Sequence, residues 1–171
     1  MKNRPLLQSV FFPFLALLFL FACGEKNQTI PEEKQVGSRA PSFKLNDLSG
    51  KPVSLADHKG KVILLRFWST ACKSCKQEMP KLETIYQELK PSGLLLIAIN
   101  IKDSPEKVSD FIDGLGLTFP ILIEENKSTV KDFKVYGVPT SFLIDKEGII
   151  TKRFFGDLSE AETVELVKRL L

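Results

Sequence analysis

Histidine is nearly missing from this 171-residue chain, where His58 is the only one. Cysteine is scarce too, with three residues, and tryptophan is limited to Trp68. A tetrahedral zinc site takes about four ligands, so Cys72 and Cys75, with a distant Cys23 and a lone His58, support zinc poorly. A Cys-His hydrolase would have to use that same histidine, which reads instead as a loop side chain ahead of Lys59-Gly60. Charge of one sign is also lacking. Lysine and arginine number 24 against 21 acidic residues, a formal net charge of +3; residues 1–22 hold two basic and no acidic groups, which leaves +1 for the rest. No basic patch argues for nucleic acid. No cofactor is expected either, because Trp68 and the thirteen phenylalanines read as core and site lining.

What the chain does have is Cys72 and Cys75, placed directly after the apolar run Val62–Trp68 and opening a helix-like segment. Cysteines at this spacing lie one turn apart on one helix face, close enough to form and break a disulfide. The first sits where the unpaired amides of a helix N-terminus favour negative charge, which stabilises the thiolate, its nucleophilic form. C-x-x-C also supplies half of many zinc sites and can be a structural disulfide, although so short a loop restrains the unfolded chain little. Redox exchange is the leading reading.

The N-terminus sets where that chemistry occurs. Lys2 and Arg4 precede a largely apolar stretch, residues 6–22, interrupted by Gln8, Ser9 and Pro13, which has the form of an export signal. Its end, Leu20-Phe21-Ala22-Cys23, resembles the bacterial lipoprotein processing box, with Cys23 as the lipid-attachment residue and Phe21 bulkier than is usual there. An uncleaved anchor is the alternative, since about 17–25 mostly apolar residues span a bilayer. Both readings tether the chain to the membrane of the bacterial cell envelope, facing out of the cytoplasm. Assigning Cys23 to lipid leaves one redox pair. An oxidising compartment closes most dithiols unless an electron source keeps them reduced, so a reducing partner is implied. Residues 23–36 are polar and read as a flexible linker; residues 37–171 suit one compact domain.

Along that domain, residues 43–45 and 53–55 flank a turn containing Asp47, Ser49 and Gly50 and predict a β-hairpin. Residues 61–68 predict a buried strand, 72–90 a helix bent at Pro80, 94–100 a second buried strand, and 105–115 an amphipathic helix ended with the help of Gly114 and Gly116. Residues 120–123 read as a short strand, 128–136 as a helix, and 140–144 with 149–155 as an antiparallel hairpin. Ser159 with Glu162 three residues on is a capping-box pattern for a C-terminal helix reaching Leu171. The order gives an α/β domain with a central mixed β-sheet flanked by helices.

Residues 36–171 resemble the thioredoxin-like proteins of the membrane-anchored TlpA and ResA type, including an inserted strand-helix unit before the last hairpin. The resemblance rests on residues 37–45 (Gly-Ser-Arg-Ala-Pro-Ser-Phe-Lys-Leu) as the N-terminal hairpin signature and on Gly60-Lys61-Val62 through Phe67-Trp68 as the strand entering the site. It rests also on Gly137-Val138-Pro139-Thr140 with Phe142-Leu143-Ile144-Asp145 as the second active-site loop. It implies a thioredoxin-like fold and a thiol-disulfide oxidoreductase, with Cys72 attacking and Cys75 resolving. Pro139 matches a cis proline facing the dithiol, and Glu78, one turn after Cys75, an active-site glutamate able to take or give a proton as Cys75 exchanges. The implied partners are a disulfide-containing protein substrate, apocytochrome c among them, and a membrane thiol reductase as electron donor.

Three positions depart from the family. Ala71 stands where a tryptophan is usual, Ser74 where a proline is common, and Arg66 where thioredoxins carry a buried acid and this subfamily often an asparagine. Lys73 and Arg66 favour a Cys72 thiolate, and a lowered thiol pKa, if they approach it; Arg66 either snorkels from the strand end or pairs with Glu78. Two other functions stay open on sequence alone. One is a peroxiredoxin-like peroxidase, given Thr70-Ala71-Cys72 and a shared hairpin signature; the other is a redox-inactive binding or assembly module.

Overall fold

The computed structural model describes residues 35–171, so residues 1–22, Cys23 and most of the expected linker lie outside the described part. Gln35, at the end of that linker, is buried, and its side-chain amide donates to the Asp132 carbonyl. Seven strands form one sheet in the order β2-β1-β5-β4-β3-β6-β7. They are β1 (Lys44–Asp47), β2 (Pro52–Ser54), β3 (Val62–Trp68), β4 (Leu94–Asn100), β5 (Ile121–Ile123), β6 (Thr140–Ile144) and β7 (Ile150–Phe155). Four α-helices cover it: α1 (Lys73–Leu89), α2 (Pro105–Ile112), α3 (Ser128–Asp132) and α4 (Glu160–Leu170). The sheet is mixed, as expected. β3 runs parallel to β4 and antiparallel to β6, while β5 is parallel to β4 and antiparallel to β1. The inserted β5 thus joins the N-terminal hairpin to the central strands.

Every residue of β3 and β4 is buried, because helices and loops cover both sheet faces. Side chains alternate between those faces. Val62, Leu64 and Trp68 pack with Met79, Leu82 and Ile85 of α1, Val108 of α2 and Val167 of α4. Ile63, Leu65 and Phe67 pack with Phe43, Phe133 and Phe142 on the other side, where the Phe133 and Phe142 rings meet nearly edge to face at 5.1 Å. Trp68 is fully buried against Phe111, ring centroids 5.2 Å apart; it and its phenylalanine neighbours are core, as read.

The helices follow their end signals. Ser104 and Ser159 accept the Lys107 and Glu162 amides with their side chains and open α2 and α4. Pro80 lies inside α1, yet Lys73–Leu89 remains one helix. The expected helix over residues 128–136 is shorter. It stops at Asp132 because Lys134 turns left-handed (φ 49°), which lets Phe133 and Val135 both reach the core. α2 likewise ends at Ile112, with Leu115 beyond it between left-handed Gly114 and Gly116.

Candidate active site

The end of β3 delivers the chain to the dithiol. Cys72 is the N-cap of α1, in extended conformation, and its Sγ accepts the Cys75 amide at 3.2 Å. The two cysteines are joined as a disulfide, Cα atoms 5.3 Å apart. Their environments differ: Cys72 is half-buried, Cys75 only 1% exposed. The amide that meets Sγ is one of the orphan donors of the helix N-terminus, so in the reduced protein it would favour a thiolate at Cys72 over a thiol. No acidic residue occupies the first turn of α1 to oppose this. The Ser74 hydroxyl stands 3.6 Å from Cys72 Sγ, and Lys73 beside it is exposed.

An open groove of about 630 Å³ runs past Cys72, lined by Ser69, Ala71, Lys73, Ser74, Gln77 and Val138. Val138 comes from the second loop. The Val138–Pro139 peptide bond is cis and Pro139 is buried. Its carbonyl accepts the Gly156 amide at 2.9 Å, and the Thr140 hydroxyl donates to the Gly137 carbonyl at 2.7 Å. The structure therefore brings the cis-proline loop and the dithiol loop to one end of the sheet.

Below Cys75 lies a buried ion pair. Period-two alternation in β3 turns Arg66 to the same face as Leu64 and Trp68, toward α1. There its Nη2 pairs with Glu78 Oε2, while Nη1 donates to the Ser141 hydroxyl at 2.9 Å and to the Gly156 carbonyl at 3.1 Å. Arg66 is 0% and Glu78 4% exposed, so Arg66 does not snorkel to solvent: the pairing alternative holds. The other Glu78 oxygen accepts the Leu158 amide. Burial pushes the guanidinium down to about 10, and Asp157 acts in the opposite direction.

A second carboxylate, not singled out from the sequence, holds the loop before Cys72. Asp103 Oδ2 accepts the Thr70 amide at 2.7 Å and the Asn100 side-chain amide at 3.1 Å, and Oδ1 pairs with Lys107 Nζ at 2.5 Å. Burial raises the Asp103 pKa, but the bonds from Lys107, Thr70 and Asn100 outweigh it and hold the carboxyl well below the usual range. The sequence signal was a polar residue, Asn100, ending a wholly apolar strand, with an acid three residues on.

His58 ends a short 3-10 turn and lines a cavity of about 250 Å³ with Arg39, Lys61 and Lys146, toward the opposite end of β3 from the dithiol. Burial, then Lys61, lower its pKa. Among the described residues, no group of three or more His, Cys, Asp or Glu is placed to hold a metal ion, and no helix is long and apolar enough to cross a membrane. Cys23 lies outside the described residues.

Residues 36–153 match the AhpC/TSA family. The chain is 33% identical over 176 residues to the thiol-disulfide oxidoreductase ResA of Bacillus thuringiensis, covering 99% of this chain and 98% of that protein. Among solved structures, the thioredoxin domain of a thiol-disulfide oxidoreductase from Bacteroides vulgatus superimposes with a TM-score of 0.72 at 28% identity, covering 80% of this chain and 98% of that one. A thioredoxin-family thiol:disulfide interchange protein from Chlorobium tepidum gives 0.72 at 26% identity, with 78% and 96% covered.

Proposed function

As a member of the AhpC/TSA family and of its ResA-like branch, this chain is a thiol-disulfide oxidoreductase, and we propose that it reduces protein disulfides outside the cytoplasm while tethered to the membrane. The supporting observation is the asymmetry of the pair: a half-buried Cys72 facing an open groove, and a Cys75 shielded behind it. In this reading the Cys72 thiolate attacks one sulfur of the substrate disulfide, forming a mixed disulfide and expelling a substrate thiolate. Cys75, deprotonated, then attacks Cys72 Sγ and expels the second substrate thiolate. The proton from Cys75 and one from solvent convert the two expelled thiolates to thiols, two electrons pass to the substrate, and the protein is left with the 72–75 disulfide. Pro139 and the backbone before it face the bound segment of substrate. Glu78 acts through its charge beside Cys75.

Regeneration needs a dithiol donor, which in an oxidising compartment is a membrane thiol reductase. Residues 1–22 as an export signal, with lipid on Cys23 or an uncleaved anchor, supply the tether. Apocytochrome c awaiting haem attachment is the substrate to test first. The experiment is trapping: full-length Cys75→Ser, expressed in the native host, should accumulate a mixed disulfide at Cys72, and identifying the captured chain names the substrate. Capture of a cysteine-bearing apocytochrome supports that assignment, and capture of unrelated exported proteins makes the chain a general reductase. Insulin reduction by the wild type checks exchange itself; peroxide consumption in its place would assign a peroxidase, and neither activity a binding or assembly module.

A further inference from the structure

Arg66 is the one charged side chain in β3, and its contacts join four parts of the site. The guanidinium reaches Glu78 on α1, the Ser141 hydroxyl on β6 two residues after Pro139, and the Gly156 carbonyl between β7 and α4. Gly156 in turn donates its amide to the Pro139 carbonyl at 2.9 Å. Glu78, held by Arg66 on one oxygen and by the Leu158 amide on the other, lies one turn beyond Cys75 on the same helix. We propose that Arg66 is a positioning residue of the dithiol site: it holds Glu78 as a carboxylate in both redox states and ties the dithiol helix to the strand carrying cis-Pro139. Cys75 then works beside a fixed negative charge and not beside a proton donor. The proposal rests on the dithiol reading above for its meaning, but not for its test.

The chemistry follows from how fully the pair is bonded. A buried carboxylate without a cation takes up a proton, because desolvation penalises the charged form. One facing a guanidinium and a backbone amide has its charge stabilised twice. Arg66 keeps its own charge near neutrality, since burial lowers it only to about 10. The ionisable groups around the Arg66–Glu78 pair are Cys75, one turn before Glu78 on α1, and Asp157 from the loop before α4, which acts on Arg66, while β6 contributes only the Ser141 hydroxyl, also on Arg66. Glu160 and Glu162 in the first turn of α4 are exposed. Arg66 is the cation paired with Glu78, so removing it should return Glu78 to a titrating acid.

The test uses full-length protein, wild type and the variants Arg66→Gln, Arg66→Lys, Glu78→Gln and the double variant. The rate of Cys72 alkylation in the reduced protein and the reduction potential are followed from about pH 5 to 8, where a buried unpaired carboxyl titrates. Wild type and Glu78→Gln should give pH profiles of the same shape, differing by a constant offset. Arg66→Gln should gain an added titration step that disappears in the double variant, and Arg66→Lys should lack it. A Glu78-dependent step in the wild type, or an Arg66→Gln profile that overlays the wild type, overturns the proposal. Should Arg66→Gln fail to fold, the δ-carbon signal of Glu78 in isotopically labelled wild type decides. It stays flat over that range, oxidised and reduced, if the proposal holds, and shifts if it does not. Failure of every form to reduce insulin would count against the oxidoreductase reading alone, because the carbon signal still reports on Arg66.

Discussion

Around Cys72 the protein is open and held by hydrogen bonds to backbone amides; around Cys75, three residues on, it is closed and held by charge. The Cys72 side has the groove, the Cys75 amide on Sγ, and Asp103 clamping the Thr70 amide. The Cys75 side has a fully buried guanidinium against Glu78. Both sides use a carboxylate, for different ends. Asp103 fixes a stretch of backbone with help from an exposed lysine, whereas Glu78 carries a charge into the core and needs a buried cation to do so. Under the proposed mechanism, openness lets a substrate sulfur reach Cys72, and closure reserves Cys75 for the intramolecular step.

The comparison breaks most completely at the sulfurs. Cys72→Ser should abolish insulin reduction, while Cys75→Ser should stop turnover yet still form mixed disulfides visible by non-reducing electrophoresis. Equal trapping by both variants would mean the two thiols are equally accessible. Next in size is the buried pair. Arg66→Ala should cost about 3–5 kcal/mol in denaturant unfolding, since removing one partner strands the other's charge. The Arg66→Met, Glu78→Leu double variant should recover most of that, and a double loss as large as the single would show that packing, not charge, is at stake.

Asp103→Asn should cost less, about 1–2 kcal/mol, because asparagine still offers an oxygen to Thr70. Its pH dependence has a definite sign. The folded-state pKa of Asp103 is lowered, so its stabilisation is complete above the ordinary carboxylate value of about 4 and is lost as pH falls through the lower folded value. The stability gap between wild type and variant should be constant near neutrality and close in acid; a gap that widens in acid contradicts the assignment. Smallest is Lys73→Ala. It should move the alkylation profile of Cys72 in the Cys75→Ala background slightly upward in pH, and less so at high salt, where exposed charges are screened.

Much of this was legible in the sequence because the central strands are uniformly apolar. β4 and β6 have the bounds expected from their apolar runs, 94–100 and 140–144, and the spacing of Cys72, Cys75 and Glu78 follows from one helix. α3 was overestimated because helical spacing in residues 128–136 does not reveal that Phe133 and Val135 are needed in the core, which the left turn at Lys134 achieves. Asp103 escaped notice because its partners, Thr70 and Asn100, belong to strand ends that meet only once β3 and β4 pair. Arg66 was visible as an anomaly in an apolar run. Glu78, 12 residues on, was one of its two alternatives; its other two acceptors were not legible, because they lie 75 and 90 residues away in sequence.

Those separations bear on the order of assembly. β3 and α1 come well before β6, β7 and the Gly156–Leu158 turn along the chain, so until those later segments pair, the dithiol belongs to an unfinished sheet. Arg66 and Glu78, 12 residues apart, can meet early but only in water, where an ion pair is weak. The guanidinium gains its remaining acceptors when the last third of the chain arrives. Contacts of such long range slow folding, and the enclosure around Cys75 is complete only when they have formed.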